Sequence, residues 1–188
     1  MRRGTDQARA SRPMRGSLRF GARLWGRRTG TERVLKFFSS SATNKVDAKG
    51  RVSIPAPFRK VLQGEASPVL FLMPEVRGLP AVEGFGLSHF EKLANALSQM
   101  NPLSPEYDAL ADVVAGQAAQ LPLDDTGRIV LPGEFRELAK IRDSAYFVGR
   151  INTFQIWSPE NYAAVKAQRR ETAVANFDKL PWGGGATS

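Results

Sequence analysis

The chain has 188 residues, of which 42% are hydrophobic and 24% charged, and it carries a formal net charge of +9. No run approaches the ~18 consecutive apolar residues of a membrane-spanning helix, and the absence of cysteine excludes disulfides, thiol chemistry and cysteine-ligated metal. The single histidine, His89, excludes a multi-histidine metal site and leaves a serine–histidine triad only this one residue to use. The length suits one domain or two small ones.

Eleven Lys or Arg and two acids fall within residues 1–36, and they account for the whole net charge; the rest of the chain balances to zero. The high basicity therefore belongs to an N-terminal arm, residues 1–33. Its glycines disfavour helix and its amphipathicity is poor, so disorder is expected. Three other readings fit the same composition. One is a tail that grips phosphates, and another is an Arg-rich organellar transit peptide. The third is translation from Val34, a residue that a GTG start codon can specify. Arg interrupts every apolar run of the arm, so a secretory leader does not fit.

An internal repeat organises the remainder. The segment Asp47-Ala-Lys-Gly-Arg-Val-Ser-Ile-Pro-Ala-Pro-Phe-Arg59 returns 77 residues later as Asp124-Asp-Thr-Gly-Arg-Ile-Val-Leu-Pro-Gly-Glu-Phe-Arg136, identical at six of thirteen positions. In each copy an Asp three residues before a Gly predicts a type I turn closed by a left-handed glycine, and hence a bulged hairpin. Arg51 to Ile54 reads as a strand ended by Pro55. Ala56 to Leu62 reads as a short helix with Phe58, Val61 and Leu62 inward. The unbroken apolar run Val69 to Met73 reads as a buried strand. Further along, Phe85-Gly-Leu87 aligns with Phe154-Gln-Ile156.

Two helices follow the first copy. Ser88 with Glu91 forms a capping-box pattern, with Phe90, Leu93, Ala94 and Leu97 as its stripe. Ser104-Pro-Glu106 opens the second helix, with Tyr107, Leu110, Val114 and Ala118 on one face. In copy two, Ala145 to Val148 and Thr153 to Trp157 read as strands. Ser158-Pro-Glu160 then opens a helix through about Val174, before a flexible tail from Leu180. A unit of about 45–50 residues buries too little to stand alone, so the copies should share a core with each other or with a neighbouring subunit.

The motif Asp47-Ala-Lys-Gly-Arg-Val-Ser-Ile-Pro55 with Phe58-Arg59 resembles the MraZ family of bacterial transcriptional regulators. So does its second copy, followed by Val148-Gly-Arg-Ile-Asn-Thr-Phe-Gln-Ile-Trp157. The resemblance spans about residues 34–175. It implies an α+β, mainly β fold of two tandem swapped-hairpin (AbrB/SpoVT-like) β-barrel domains with short helices, related by a pseudo-two-fold repeat. It also implies a ring-forming homo-oligomer. The expected organisation is the arm, a first domain over 41–88, a helical connection over 89–117, a second domain over 118–161, and a C-terminal helix and tail over 162–188. The implied function is sequence-specific binding to tandem repeats in double-stranded DNA. The implied target is the division and cell-wall gene cluster, including the chain's own promoter, in the cytoplasm at the nucleoid.

The residue chemistry is compatible with that role. Lys49 and Arg51 flank Gly50 on an exposed turn, where cations can reach phosphate or a guanine edge. Lys45 and Asn44 extend the patch, and Asp47 and Gly50 build the turn. Copy two carries Asp124, Asp125, Thr126 and Gly127 beside Arg128. That turn is poor at attracting phosphate, so Arg128 reads as a weaker or structural counterpart and copy two as mainly for assembly. The plainer readings pair Arg51 with Asp47 across the hairpin and pair Arg59 and Arg136 with Asp47 and Asp124. They leave His89 at the surface, Trp157 in the core or a subunit contact, and Glu106, Asp108 and Asp112 on a solvated face. Scattered carboxylates and the absence of a phosphate-binding Gly-rich loop point away from an enzyme. No catalytic residue, metal site, cofactor, small-molecule substrate or membrane partner is expected. The alternatives are an antitoxin-type swapped-hairpin regulator and a protein-binding ring scaffold.

Overall fold

A computed structural model describes residues 37–181; the basic arm and the last part of the tail lie outside the described residues. In chain order the elements are β1 (Ser41–Lys45), β2 (Arg51–Ser53), α1 (Ala56–Gln63), β3 (Leu70–Pro74), β4 (Ala81–Phe85), α2 (Leu87–Ser98) and α3 (Pro105–Ala111). A π-helical turn over Asp112–Gly116 continues α3, followed by β5 (Ala119–Leu121), β6 (Arg128–Val130), α4 (Gly133–Leu138), β7 (Ser144–Gly149), β8 (Phe154–Trp157) and α5 (Pro159–Asn176). None of the described helices is long and apolar enough to cross a membrane.

The two copies interleave. Six strands form one antiparallel sheet in the order β1-β7-β8-β4-β3-β5, and β2 pairs with β6 as a separate ribbon. The first strand of copy one thus lies on the third strand of copy two (Ser41 opposite Val148), and β5 of copy two lies on β3 of copy one (Leu70 opposite Leu121). The copies meet again at β4 and β8 (Val82 opposite Ile156) and at β2 and β6 (Val52 opposite Ile129). The sharing of one core that their size demands occurs within a single chain.

The expected barrel is not closed. The sheet keeps β1 and β5 as open edges. From each edge the chain turns into the ribbon instead, as in the Val46–Val52 bridge after β1. Closure would require those two edges to hydrogen-bond to each other, and the ribbon takes the chain across one face of the sheet.

That face holds the main core. Leu70, Leu72, Val82, Ala145, Phe147, Phe154 and Ile156 of the sheet pack against Val52 and Ile129 of the ribbon, Phe58, Val61 and Leu62 of α1, and Phe135 of α4. Helix α1 forms as the sequence predicts, with Pro at its start and those three residues buried. The opposite face is covered in two places. Phe90 and Leu93 of α2 pack on Phe71, Met73 and Phe85, and Tyr162 of α5 lies against Tyr146 and Trp157. Between them Gln155, fully buried, accepts from the Trp157 indole at 3.2 Å and donates to Glu83, also at 3.2 Å.

Three local expectations change. The Ser88–Glu91 box is not the start of α2: Gly86 is the cap residue, and the Ser88 N–H and hydroxyl both donate to Glu65, at 2.7 and 3.0 Å. A carboxylate distant in sequence does the capping because Gly86 has no side chain to fill the space that Glu65 enters. The repeat alignment also shifts. Strand β4 ends at Phe85 directly before the α2 cap, and β8 ends at Trp157 directly before the α5 cap Ser158, so Phe85 corresponds to Trp157 rather than to Phe154. Finally, the π turn breaks the α3 stripe and leaves Leu110 43% exposed.

The serine caps predicted for the other two helices are present. Ser104 Oγ accepts from the Tyr107 N–H, and Ser158 Oγ from the Asn161 N–H, each at 3.2 Å. Ser158 is 5% exposed, and its loss leaves the half-buried Asn161 N–H without its side-chain acceptor. Ser158→Ala should cost about 1–2 kcal/mol in urea unfolding at fixed protein concentration. An unchanged midpoint would show that solvent replaces the cap.

Candidate nucleic-acid interface

The turn of copy one is built around one carboxylate. Asp47 Oδ1 accepts from the Lys49 and Arg51 amides, both at 2.9 Å, and Oδ2 accepts from Arg51 Nε at 2.6 Å. The main chain closes the hairpin, with Gly50 N–H on the Asp47 carbonyl at 2.9 Å and Asp47 N–H on the Arg51 carbonyl at 3.0 Å. Gly50 sits at φ +78°, in the left-handed region where a side chain is strained. Copy two repeats the plan around Asp124. Arg128 Nε lies 3.0 Å from Oδ2, and the Thr126 hydroxyl adds a bond of 2.7 Å to Oδ1.

These bonds hold both carboxyls below the usual Asp range. For Asp47 the largest cause is the Arg51 amide, then the Arg51 guanidinium. For Asp124 the Arg128 amide leads and the Thr126 hydroxyl follows, and its fall is large. A carboxyl depressed by folding stabilises the turn above its unfolded value. That stabilisation is lost as pH falls through the depressed folded value, so the window lies below about pH 4. NMR titration should place both midpoints under the ordinary value, Asp124 the lower of the two, and Thr126→Ala should raise Asp124 alone. An ordinary midpoint for Asp124 in the wild type would contradict the bonding.

The ribbon brings the two turns together. Arg51 faces Val130 and Ser53 faces Arg128 across β2 and β6. Strand alternation sends Val52 and Ile129 into the core, 1% and 2% exposed, and sends Arg51, Ser53, Arg128 and Val130 outward. Arg51 and Arg128 are thus diagonal neighbours on one outer face. They line a common groove of about 240 Å³ with Leu121, Pro122 and Val130. Their side chains are 42% and 39% exposed, and each ion pair engages Nε, so the terminal NH2 groups are not consumed by it.

The other sequence-selected residues fall in different places. Lys49 is exposed on the turn. Asn44 is half-buried behind it, and its amide donates to the Ser53 carbonyl at 2.6 Å, tying β1 to the ribbon. Lys45 is exposed on the opposite face of β1 from Asn44. His89 is half-buried against Phe85, with ring centres 5.0 Å apart, and burial lowers its basicity.

Arg59 and Arg136 do not pair with the carboxylates of their own turns. Each backs the turn of the other copy: Arg59 fills the space beside Gly127, and Arg136 lies 3.3 Å from where a Cβ on Gly50 would stand. Sequence spacing could not show this, because the contact crosses between copies. The identity of both arginines in a repeat was the only signal.

Comparison with known proteins finds relatives over most of the chain. A family model described as "MraZ protein, putative antitoxin-like" matches residues 114–179. A protein of Parvibaculum lavamentivorans named "Transcriptional regulator MraZ" is 42% identical over 145 residues, covering 76% of this chain and 88% of that protein. A protein of the same name from Rickettsia bellii is 38% identical over 137 residues, covering 73% and 91%. One from Rickettsia rickettsii is 39% identical over 128 residues, covering 68% and 85%.

Proposed function

The chain belongs to the MraZ family, and on that premise we propose that it is a sequence-specific, DNA-binding transcriptional regulator. The observation that carries this reading is the Lys49-Gly50-Arg51 turn at the end of a two-stranded ribbon whose outer face carries Arg51 and Arg128. A ribbon of that kind fits the major groove, and an arginine fork is the commonest reader of guanine O6 and N7. Asp47 takes Nε and orients the fork. Arg51 and Lys49 reach the bases, Lys45 adds a cation for phosphate, and Asn44 holds the ribbon to β1. Arg128 stands on the same face beside the acidic Asp124 and Asp125 and acts as the weaker partner.

The interleaved strands support reading each repeat as half of a swapped-hairpin unit. In this proposal several protomers form a ring that engages tandem repeats upstream of the division and cell-wall genes, the chain's own promoter included, at the nucleoid in the cytoplasm. Each turn then binds weakly and the array binds tightly through effective concentration.

Fluorescence anisotropy of the full chain on the duplex upstream of its own gene, against a scrambled duplex, tests this at two salt concentrations. Preference for the upstream duplex should persist as salt rises, while non-specific binding by the basic arm collapses. Equal affinity for both duplexes at each salt concentration would overturn the reading in favour of an antitoxin-type or scaffold role.

A further inference from the structure

Crossing between copies places helix α4 of copy two beside the turn of copy one. Arg136 packs its guanidinium under Gly50, and its Nε is buried with no hydrogen-bond acceptor. From there a groove of about 370 Å³ runs along the end of α4, lined by Gly133, Arg136, Glu137, Lys140, Ile141 and Arg142. Lys140 ends the helix in the left-handed region at φ +54°, and the Ile141 amide ties the segment back to the Arg136 carbonyl at 2.8 Å. Among the described residues none of these three cations forms an ion pair with a carboxylate. Glu137 is the one acid of the groove, and Lys140 and Arg142 also line the neighbouring depression, together with Asp143 and Glu160.

The pseudo-equivalent place in the other half is the reverse. There Arg59 packs under Gly127, and a groove of about 430 Å³ is lined by Arg59 and Gln63 with Asp124 and Asp125. One cation faces two carboxylates. The groove at the end of α4 is thus lined by three cations and Glu137, and the groove at the copy-two turn by Arg59 with that turn's own Asp124 and Asp125.

We infer that Arg136, Lys140 and Arg142 of copy two form a seat for a DNA backbone phosphate next to the bases that the copy-one turn reads. The inference rests on the DNA-binding reading above. It gives copy two a direct share in the interface, one that fixes position along the duplex and carries no sequence preference. The phosphate would bond the exposed heads of Lys140 and Arg142, with the Arg136 charge held behind them by the Gly50 peptide.

The test is the double variant Lys140→Asn/Arg142→Gln in the full chain, because Asn tolerates the left-handed backbone at 140. Anisotropy is read on the upstream and scrambled duplexes across a salt series, with size-exclusion elution checking assembly. Affinity at 0.15 M salt should fall about fivefold on both duplexes alike. The slope of log K against log salt should shrink by about 1 per bound protomer, with the preference ratio unchanged. Wild-type affinity and slope in the variant would overturn the phosphate seat and leave the regulator reading standing. So would a loss confined to the upstream duplex. A wild type with no preference for either duplex would overturn both.

Discussion

Arg51→Ala should remove the preference for the upstream duplex while leaving the size of the assembly unchanged. A bidentate arginine–guanine contact is worth about 1–3 kcal/mol of discrimination, and an array of turns multiplies the loss. Folding should survive, because the Arg51–Asp47 pair is about 40% exposed on both sides and such pairs contribute about 0–1 kcal/mol. The Asp47 carboxylate also keeps its bonds to the Lys49 and residue-51 amides, so the turn persists without the guanidinium. Arg51→Lys separates charge from shape. It should retain the salt dependence and lose most of the preference, since an ammonium has no fork. Collapse of the assembly in Arg51→Ala would instead make the residue structural. Arg51 and the Lys140–Arg142 pair should thus fail differently, the first in selectivity and the second in salt slope.

Phe154→Ala should cost about 3–5 kcal/mol of stability. The ring is fully buried and meets Phe38, Phe58 and Phe147 with centres 5.1, 5.0 and 6.1 Å away. It also lies across Gly84, whose position has no room for even a methyl group beside it. Truncation therefore opens a cavity that Gly84 cannot fill and that three rigid rings cannot collapse into. Because Phe58 belongs to copy one and Phe154 to copy two, the loss falls on the joint between the copies. Urea unfolding at fixed protein concentration measures it. A cost below about 1 kcal/mol would mean that the copies are held together elsewhere.

Local chemistry was legible where the partners are close in the chain. The Asp–Gly spacing of the turns, the proline at the start of α1 with its three inward residues, and the serine caps of α3 and α5 all depend on neighbours within about four positions. Such bonds are set by residue type and short-range geometry. The Ser88 cap misled for the same reason: a valid local pattern lost to Glu65, which lies 23 residues away in sequence. The shifted pairing of Phe85 with Trp157 is similar, since two phenylalanines matched by identity while the following helices fixed the true register.

The sequence by itself determined that the molecule is a duplicated unit, that each half carries an Asp–Gly–Arg turn, and that the basic charge of the core turns differs between halves. Only the tertiary structure decided which half each element serves. Backbone pairing is not encoded by residue identity, so nothing in the repeat says whether β1 bonds to its own copy or to the other. The pseudo-two-fold exchange of strands places Arg51 beside Arg128 on one ribbon face. It also sets Arg136 of α4 under Gly50, in a motif that lies more than eighty residues earlier in the chain.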